Sequence, residues 1–199
     1  MSDKINSQTF VFFGIVGSGK GTQVKLLEEY LKQHDGLKCV YAYPGAEFRK
    51  LIDSGSHTGS LVRDSLHRGE LQPDFLTNAI FTDILISSIT PEKHLIADGY
   101  PRTLVQSGVF EQMMQFYGRK NIKIVYIKLS KEEAMKRNLL RGRHDDTEEG
   151  LARRFDEYEN NVVPAMDYFK GKSGYDKFEI NGEQSIEDVH KDIIKTLNL

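Results

Sequence analysis

Three short stretches of this chain carry residues suited to phosphate chemistry. The first is "FVFFGIVGSGKGTQ", Phe10 to Gln23. An apolar run enters a glycine-rich turn, a lysine follows, and a polar segment opens a helix. Glycines let backbone N–H groups converge on an anion, and a helix N-terminus adds partial positive charge. Lys20 supplies a point charge for the β and γ phosphates of a nucleotide. Gly14, Gly19 and Lys20 fit the spacing G-x-x-x-x-G-K-[ST]. Gly21, however, stands where a hydroxyl is usual, and Thr22 comes one place late.

The second stretch is "HLIADGYPRTLVQ", His94 to Gln106. Asp98 ends an apolar run, where an acid can hold Mg2+ directly or through its waters. Arg102, on the same turn, presents a planar fork of donors matched to phosphate oxygens. Gln106 lies four residues on, hence on the same helical face. Its amide offers a donor and an acceptor together, which suits the edge of a base. The third stretch is "KRNLLRGRHDD", with Arg137, Arg141 and Arg143, followed by Arg154. Clustered positive charge of this kind stabilises a phosphoryl group in transfer. Plainer readings exist: a turn aspartate for Asp98, a solvated helix residue for Gln106, and ordinary surface solvation for any one arginine.

These residues need a frame. Short apolar runs over 10–16, 38–43, 94–99, 122–129 and 176–181 read as strands covered on both faces, as in a parallel sheet. Helical patterns lie over 20–34, 103–118, 131–140, 148–170 and 185–197. In the last, Ser185 caps and Ile186, Val189, Ile193 and Ile194 form one stripe. Such alternation predicts an α/β doubly wound fold, whose ligands bind beyond the carboxyl ends of the strands. The segments 14–22, 44–49, 98–102 and 141–146 fall there. About fifty residues separate the second and third strands, more than a crossover needs. They read as helices over 46–54, 58–68 and 73–89, with 44–77 as a helical insertion.

Composition narrows the class. A chain of 199 residues, 39% hydrophobic and 28% charged, has enough apolar content for one domain with its own core. A net charge of −2 lacks the positive excess of a general nucleic-acid binder. No apolar stretch approaches the roughly 18–20 residues of a membrane span. The single cysteine, Cys39, sits inside a strand pattern; it suits a reducing cytosol and reads as core. The expectation is a cytoplasmic protein with small-molecule partners, no membrane and no nucleic acid. The six histidines show no metal-ligand spacing.

Taken together, "GIVGSGKGTQ" (14–23), "DGYPRT" (98–103) with Gln106, and "RGRHDDTEEGLARRF" (141–155) resemble the adenylate kinase family over nearly the whole chain. The resemblance implies a P-loop nucleoside triphosphate hydrolase-type fold with a five-stranded parallel sheet flanked by helices. The core would be 1–43, 78–140 and 147–199, with 44–77 as the monophosphate-binding insertion. A minimal lid would span 141–146, because Gly142 alone separates Arg141 and Arg143. No C-x-x-C site is present for structural zinc. The implied reaction is Mg2+-dependent transfer from ATP to AMP in a monomer. ATP would be held by Gly17, Ser18, Gly19, Lys20, Gly21, Thr22, Arg137, Arg141 and, in the "NGEQ" loop, Gly182. AMP would be held by Pro44, Gly45, Arg49, Gln72, Gly99, Arg102, Gln106, Arg143 and Arg154. Lys20, Arg102, Arg141, Arg143 and Arg154 would carry catalysis, with Asp98 meeting Mg2+ through water. Asp145 and Asp146 would orient the arginines. Pro44, Ala46 and Gln72 stand where the family usually has Thr, Asp and Val, so UMP, CMP or GMP is the alternative acceptor. A nucleotide-binding module without transfer is the alternative class.

Overall fold

The computed structural model describes residues 7–142 and 147–199. The strands are β1 (Thr9–Phe13), β2 (Cys39–Ala42), β3 (His94–Asp98), β4 (Ile122–Lys128) and β5 (Tyr175–Asn181). They form one parallel sheet in the order β2-β3-β1-β4-β5. The helices are α1 (Lys20–His34), α2 (Pro44–Asp53), α3 (His57–His67), α4 (Asp74–Ser88), α5 (Leu104–Phe116), α6 (Lys131–Arg141), α7 (Glu148–Glu157), α8 (Val163–Asp167) and α9 (Ile186–Thr196).

Successive strand residues point to opposite faces, so apolar strands of this kind supply two cores. Val11, Phe13, Val40, Ala42, Leu95, Ala97 and Ile124 pack with α4, α5 and α8 through Phe81, Leu85, Phe110 and Met166. Phe10, Phe12, Ile96, Val125, Ile127 and Ile180 pack on the other face with α1 and α9 through Leu27, Leu31, Val189 and Ile193. A third cluster, Ile15, Leu129, Ala134, Leu151 and Phe155, lies beyond the strand ends. It explains why β1 and β4 stop earlier than their apolar runs. Ile15 and Leu129 are buried by α6 and α7 rather than by the sheet.

Local chemistry sets several helix starts. Thr103, Ser130, Thr147 and Ser185 each accept a backbone N–H from the residue three further on. Pro44 opens α2 two residues before the expected start; its fixed φ suits the first helical position. In α9 the expected stripe holds for Val189, Ile193 and Ile194, whereas Ile186 is exposed.

The helix expected over 148–170 is not continuous. After α7 the chain makes a wide turn over Tyr158–Val162, where the Val163 N–H reaches the Tyr158 carbonyl five residues back. Pro164 is the cause: it has no N–H to give and its ring collides with the carbonyl four residues earlier. The helix resumes as α8 and ends at Asp167.

Between β2 and β3, α2 and α3 pack against each other at Gly59. A Cβ built there would lie 2.0 Å from the Leu51 carbonyl oxygen. Helix propensity alone favours Gly59→Ala by about 1 kcal/mol. The close approach reverses the sign, and we expect a net loss of about 1–3 kcal/mol in urea denaturation. An unchanged or raised midpoint would show that the two helices separate freely.

Candidate active site

The loop after β1 wraps the N-terminus of α1, whose first residue is Lys20. Gly19 caps the helix in a left-handed conformation, φ 87°. Gly21 and Thr22 lie exposed in the first turn, and Ser18 is buried, its N–H donating to the Ile15 carbonyl. The Lys20 ammonium folds back into its own loop. It donates to the Gly14 carbonyl at 2.6 Å and the Ile15 carbonyl at 3.1 Å, with the Ser18 Oγ at 3.4 Å.

Burial lowers the Lys20 pKa to about 8; the Asp98 charge opposes this, and Arg102 and Arg141 add to it. Lys20, Asp98, Arg102 and Arg141 therefore share one electrostatic neighbourhood at the carboxyl edge of the sheet.

Asn138 on α6 anchors the loop from the side. Its Nδ2 donates to the Val16 carbonyl at 3.0 Å and to the Ala134 carbonyl at 2.6 Å. Gly17 (φ 88°) must pass so close that a Cβ there would lie 2.4 Å from that nitrogen. Asn138 had no place among the expected site residues. Its signal was an amide on the buried side of an otherwise charged helix.

Asp98 ends β3 and is buried. Its Oδ2 accepts a hydrogen bond from the Tyr41 hydroxyl at 2.9 Å. Burial first, then the Asp98 charge and this hydrogen bond, raise the Tyr41 pKa far above the usual phenol range. Tyr41 therefore stays a donor. Among the described residues no group of three His, Cys, Asp or Glu could hold a metal ion. A single buried carboxylate fits Mg2+ that arrives on a triphosphate and keeps most of its waters.

The turn after Asp98 is pinned from below. The Tyr100 ring is buried, stacks on Phe81 at 4.0 Å, and its hydroxyl donates to Asn78 Oδ1 at 2.7 Å. The Arg102 guanidinium lies against Gly99. Gln106 is buried rather than solvated. Its Oε1 accepts the Arg102 N–H at 2.8 Å and its Nε2 donates to Asp74 Oδ1 at 2.9 Å. The Thr103 hydroxyl also donates to Asp74 Oδ1, at 2.8 Å. Gln106 thus holds the turn that carries Arg102.

On α2, Arg49 is exposed, its guanidinium carbon 5.2 Å from the Tyr43 ring centroid. The Tyr43 ring covers Gly45, and Pro44 is buried at the helix start. Gln72 is buried too, its Nε2 donating to Ser65 Oγ at 2.7 Å. Its amide is therefore tied inside the helical segment.

Arg137 pairs with Glu133 at 2.8 Å, and Arg141 is the last residue of α6. Arg154 on α7 runs close to Gly69, where the chain leaves α3. Gly182 follows β5, its N–H donating to the Lys128 carbonyl at 2.7 Å. Its neighbour Glu183 accepts the Ser130 N–H at 3.0 Å, which docks this loop on the start of α6. Arg143, His144, Asp145 and Asp146 lie outside the described residues.

Comparison with known proteins agrees with this geometry. A model of the family described as adenylate kinase matches residues 12–174. The chain is 31% identical to "Adenylate kinase" of Thermosipho melanesiensis, over 94% of this chain and 98% of the relative. It is 32% identical to "Adenylate kinase" of Prochlorococcus marinus (strain MIT 9301), over 92% and 94%. It is 30% identical to "Adenylate kinase 1" of Nostoc sp., over 94% and 97%. Both the family model, which spans most of the chain, and these relatives place the chain in the same group: it belongs to the adenylate kinase family.

Proposed function

We propose that the protein transfers the γ-phosphoryl group of Mg·ATP reversibly to AMP, giving two ADP. One observation carries the reading: the Lys20 ammonium is folded into the glycine loop at the head of α1, on the Gly14 and Ile15 carbonyls, within the influence of Asp98, Arg102 and Arg141. Three cations brought together around one acid suit a site for phosphates.

Transfer between two phosphates needs positioning and charge neutralisation more than covalent chemistry. The N–H groups of Gly17, Ser18, Gly19, Gly21 and Thr22, with the Lys20 ammonium, bind the donor's phosphates. Lys20 exchanges its three loop acceptors for phosphate oxygens. Mg2+ enters with ATP as part of the substrate and neutralises phosphate charge; Asp98 holds it through water. Arg137 and Gly182 flank the donor base. Arg49 and Arg102 clamp the acceptor phosphate, and Arg141, Arg143 and Arg154 gather around the moving group. Pro44, Gly45, Gln72, Gly99 and Gln106 shape the acceptor pocket. In this reading 44–77 binds the monophosphate and 141–146 is the lid, whose closure keeps water from accepting the phosphoryl group. The protein acts as a cytoplasmic monomer; its net charge of −2 supports small-molecule rather than nucleic-acid partners.

A coupled assay over AMP, UMP, CMP and GMP tests the reaction. AMP gives the highest kcat/KM if the reading is right, and preference for another acceptor overturns it. Arg102→Ala lowers kcat/KM by about 100-fold, as the loss of one transition-state donor does. A rate near that of the unaltered protein would remove Arg102 from the site.

The buried lysine also sets a pH dependence. An ammonium is charged below its pKa, so in the free enzyme its charge is lost as pH rises through about 8. kcat/KM reports on the free enzyme, so that for ATP should fall on the alkaline side with a midpoint near 8. Bound phosphates hold the proton on, so kcat stays flat to higher pH. A kcat/KM profile with no alkaline limb before the usual lysine range would contradict the burial of Lys20.

A further inference from the structure

The acid at the end of β3 and the arginine on α2 are joined by a row of two tyrosines. Tyr41 and Tyr43 are two residues apart at the end of β2 and face the same side. Their rings stack with centroids 5.7 Å apart and planes 8° from parallel. At one end, the Tyr41 hydroxyl donates to Asp98 Oδ2 at 2.9 Å. At the other, the Arg49 guanidinium sits over the Tyr43 ring, and its Nη1 donates to the Tyr43 hydroxyl at 3.4 Å. Ala46, three residues before Arg49, presents only a methyl group.

We propose that Tyr41 is a positioning residue, resting on the reading of the site given above. It fixes the Asp98 carboxylate for the Mg2+ that arrives with the triphosphate, and through Tyr43 it steadies Arg49 for the acceptor phosphate. A hydrogen bond to a charged carboxylate is stronger than one between neutral groups, and this one fixes the direction in which the Asp98 carboxylate faces. Partners of a metal-facing group orient it and tune it even when they never touch the ion. The stacked rings give the arginine a fixed platform, which a long exposed side chain otherwise lacks.

Tyr41→Phe deletes the hydroxyl and keeps both rings. Mg2+ titrations at fixed ATP, read by calorimetric binding and by rate, should shift to about 10-fold higher Mg2+. Thermal stability should stay close to that of the unaltered protein. In an Asp98→Asn background the same substitution should add nothing, because its effect runs through that carboxylate. Tyr43→Leu should raise KM for AMP several-fold while kcat changes little.

An unshifted Mg2+ dependence in Tyr41→Phe overturns the proposal. So does a fall in stability with Mg2+ dependence unchanged, or an equal shift in the Asp98→Asn background. The calorimetric arm needs no turnover. Absence of AMP phosphorylation by the unaltered protein would therefore fail the proposed reaction and leave this test standing.

Discussion

Everything at the carboxyl edge of the sheet depends on how the chain tolerates a buried ammonium. Taking Lys20 out of water is costly, and Arg102 and Arg141 nearby raise the cost. Two carbonyls and a hydroxyl of its own loop solvate it, and Asp98 supplies the counter-charge. The loop must keep those carbonyls turned inward to do so. Asn138 holds one neighbouring carbonyl, and the left-handed glycine at 17 allows that approach. Position, charge and backbone conformation are thus one problem with one solution.

The acceptor side has its own anchor, and it is made of aromatic packing. Tyr100 lies in the core against Phe81 and Phe110, yet its hydroxyl reaches Asn78 on α4. Asp74, at the start of the same helix, takes hydrogen bonds from Thr103 and Gln106. The turn that carries Arg102 is therefore fastened both to the core beneath it and to the helix returning from α3. A buried network with its partners supplied is rigid, whereas a half-supplied one is costly. That rigidity suits an arginine that must meet a phosphate in a fixed geometry.

Much of this was legible in the residues. Lys20, Asp98 and Arg102 follow strand ends, where an α/β fold puts its ligands, and the strands themselves are plain apolar runs. What escaped the reading had partners far away in the chain. Gln106 looked solvated or base-reading, since nothing near it in sequence announces Asp74. Tyr41 looked like strand filling because its target, Asp98, lies 57 residues on. Pro44 stood out as a departure at a binding position, and the fold gives it a helix start. Gln72 likewise has an internal partner in Ser65. Strand ends were overdrawn at Ile15 and Leu129 because hydrophobicity does not say which core a residue joins.

The wide turn over Tyr158–Val162 has a consequence for chain length. A helix advances by 100° per residue. On one side of the turn, Leu151 and Phe155 face the loop cluster; on the other, Ala165 and Met166 are buried, and Met166 faces the sheet. The turn's extra residue acts as a phase shift that lets both sets be apolar and both be buried. Loss of one residue there would rotate everything after it by about 100° relative to what comes before, and turn one of the two faces into water. The segment's length is thus itself a coded quantity, set by Pro164 and read by two separate cores.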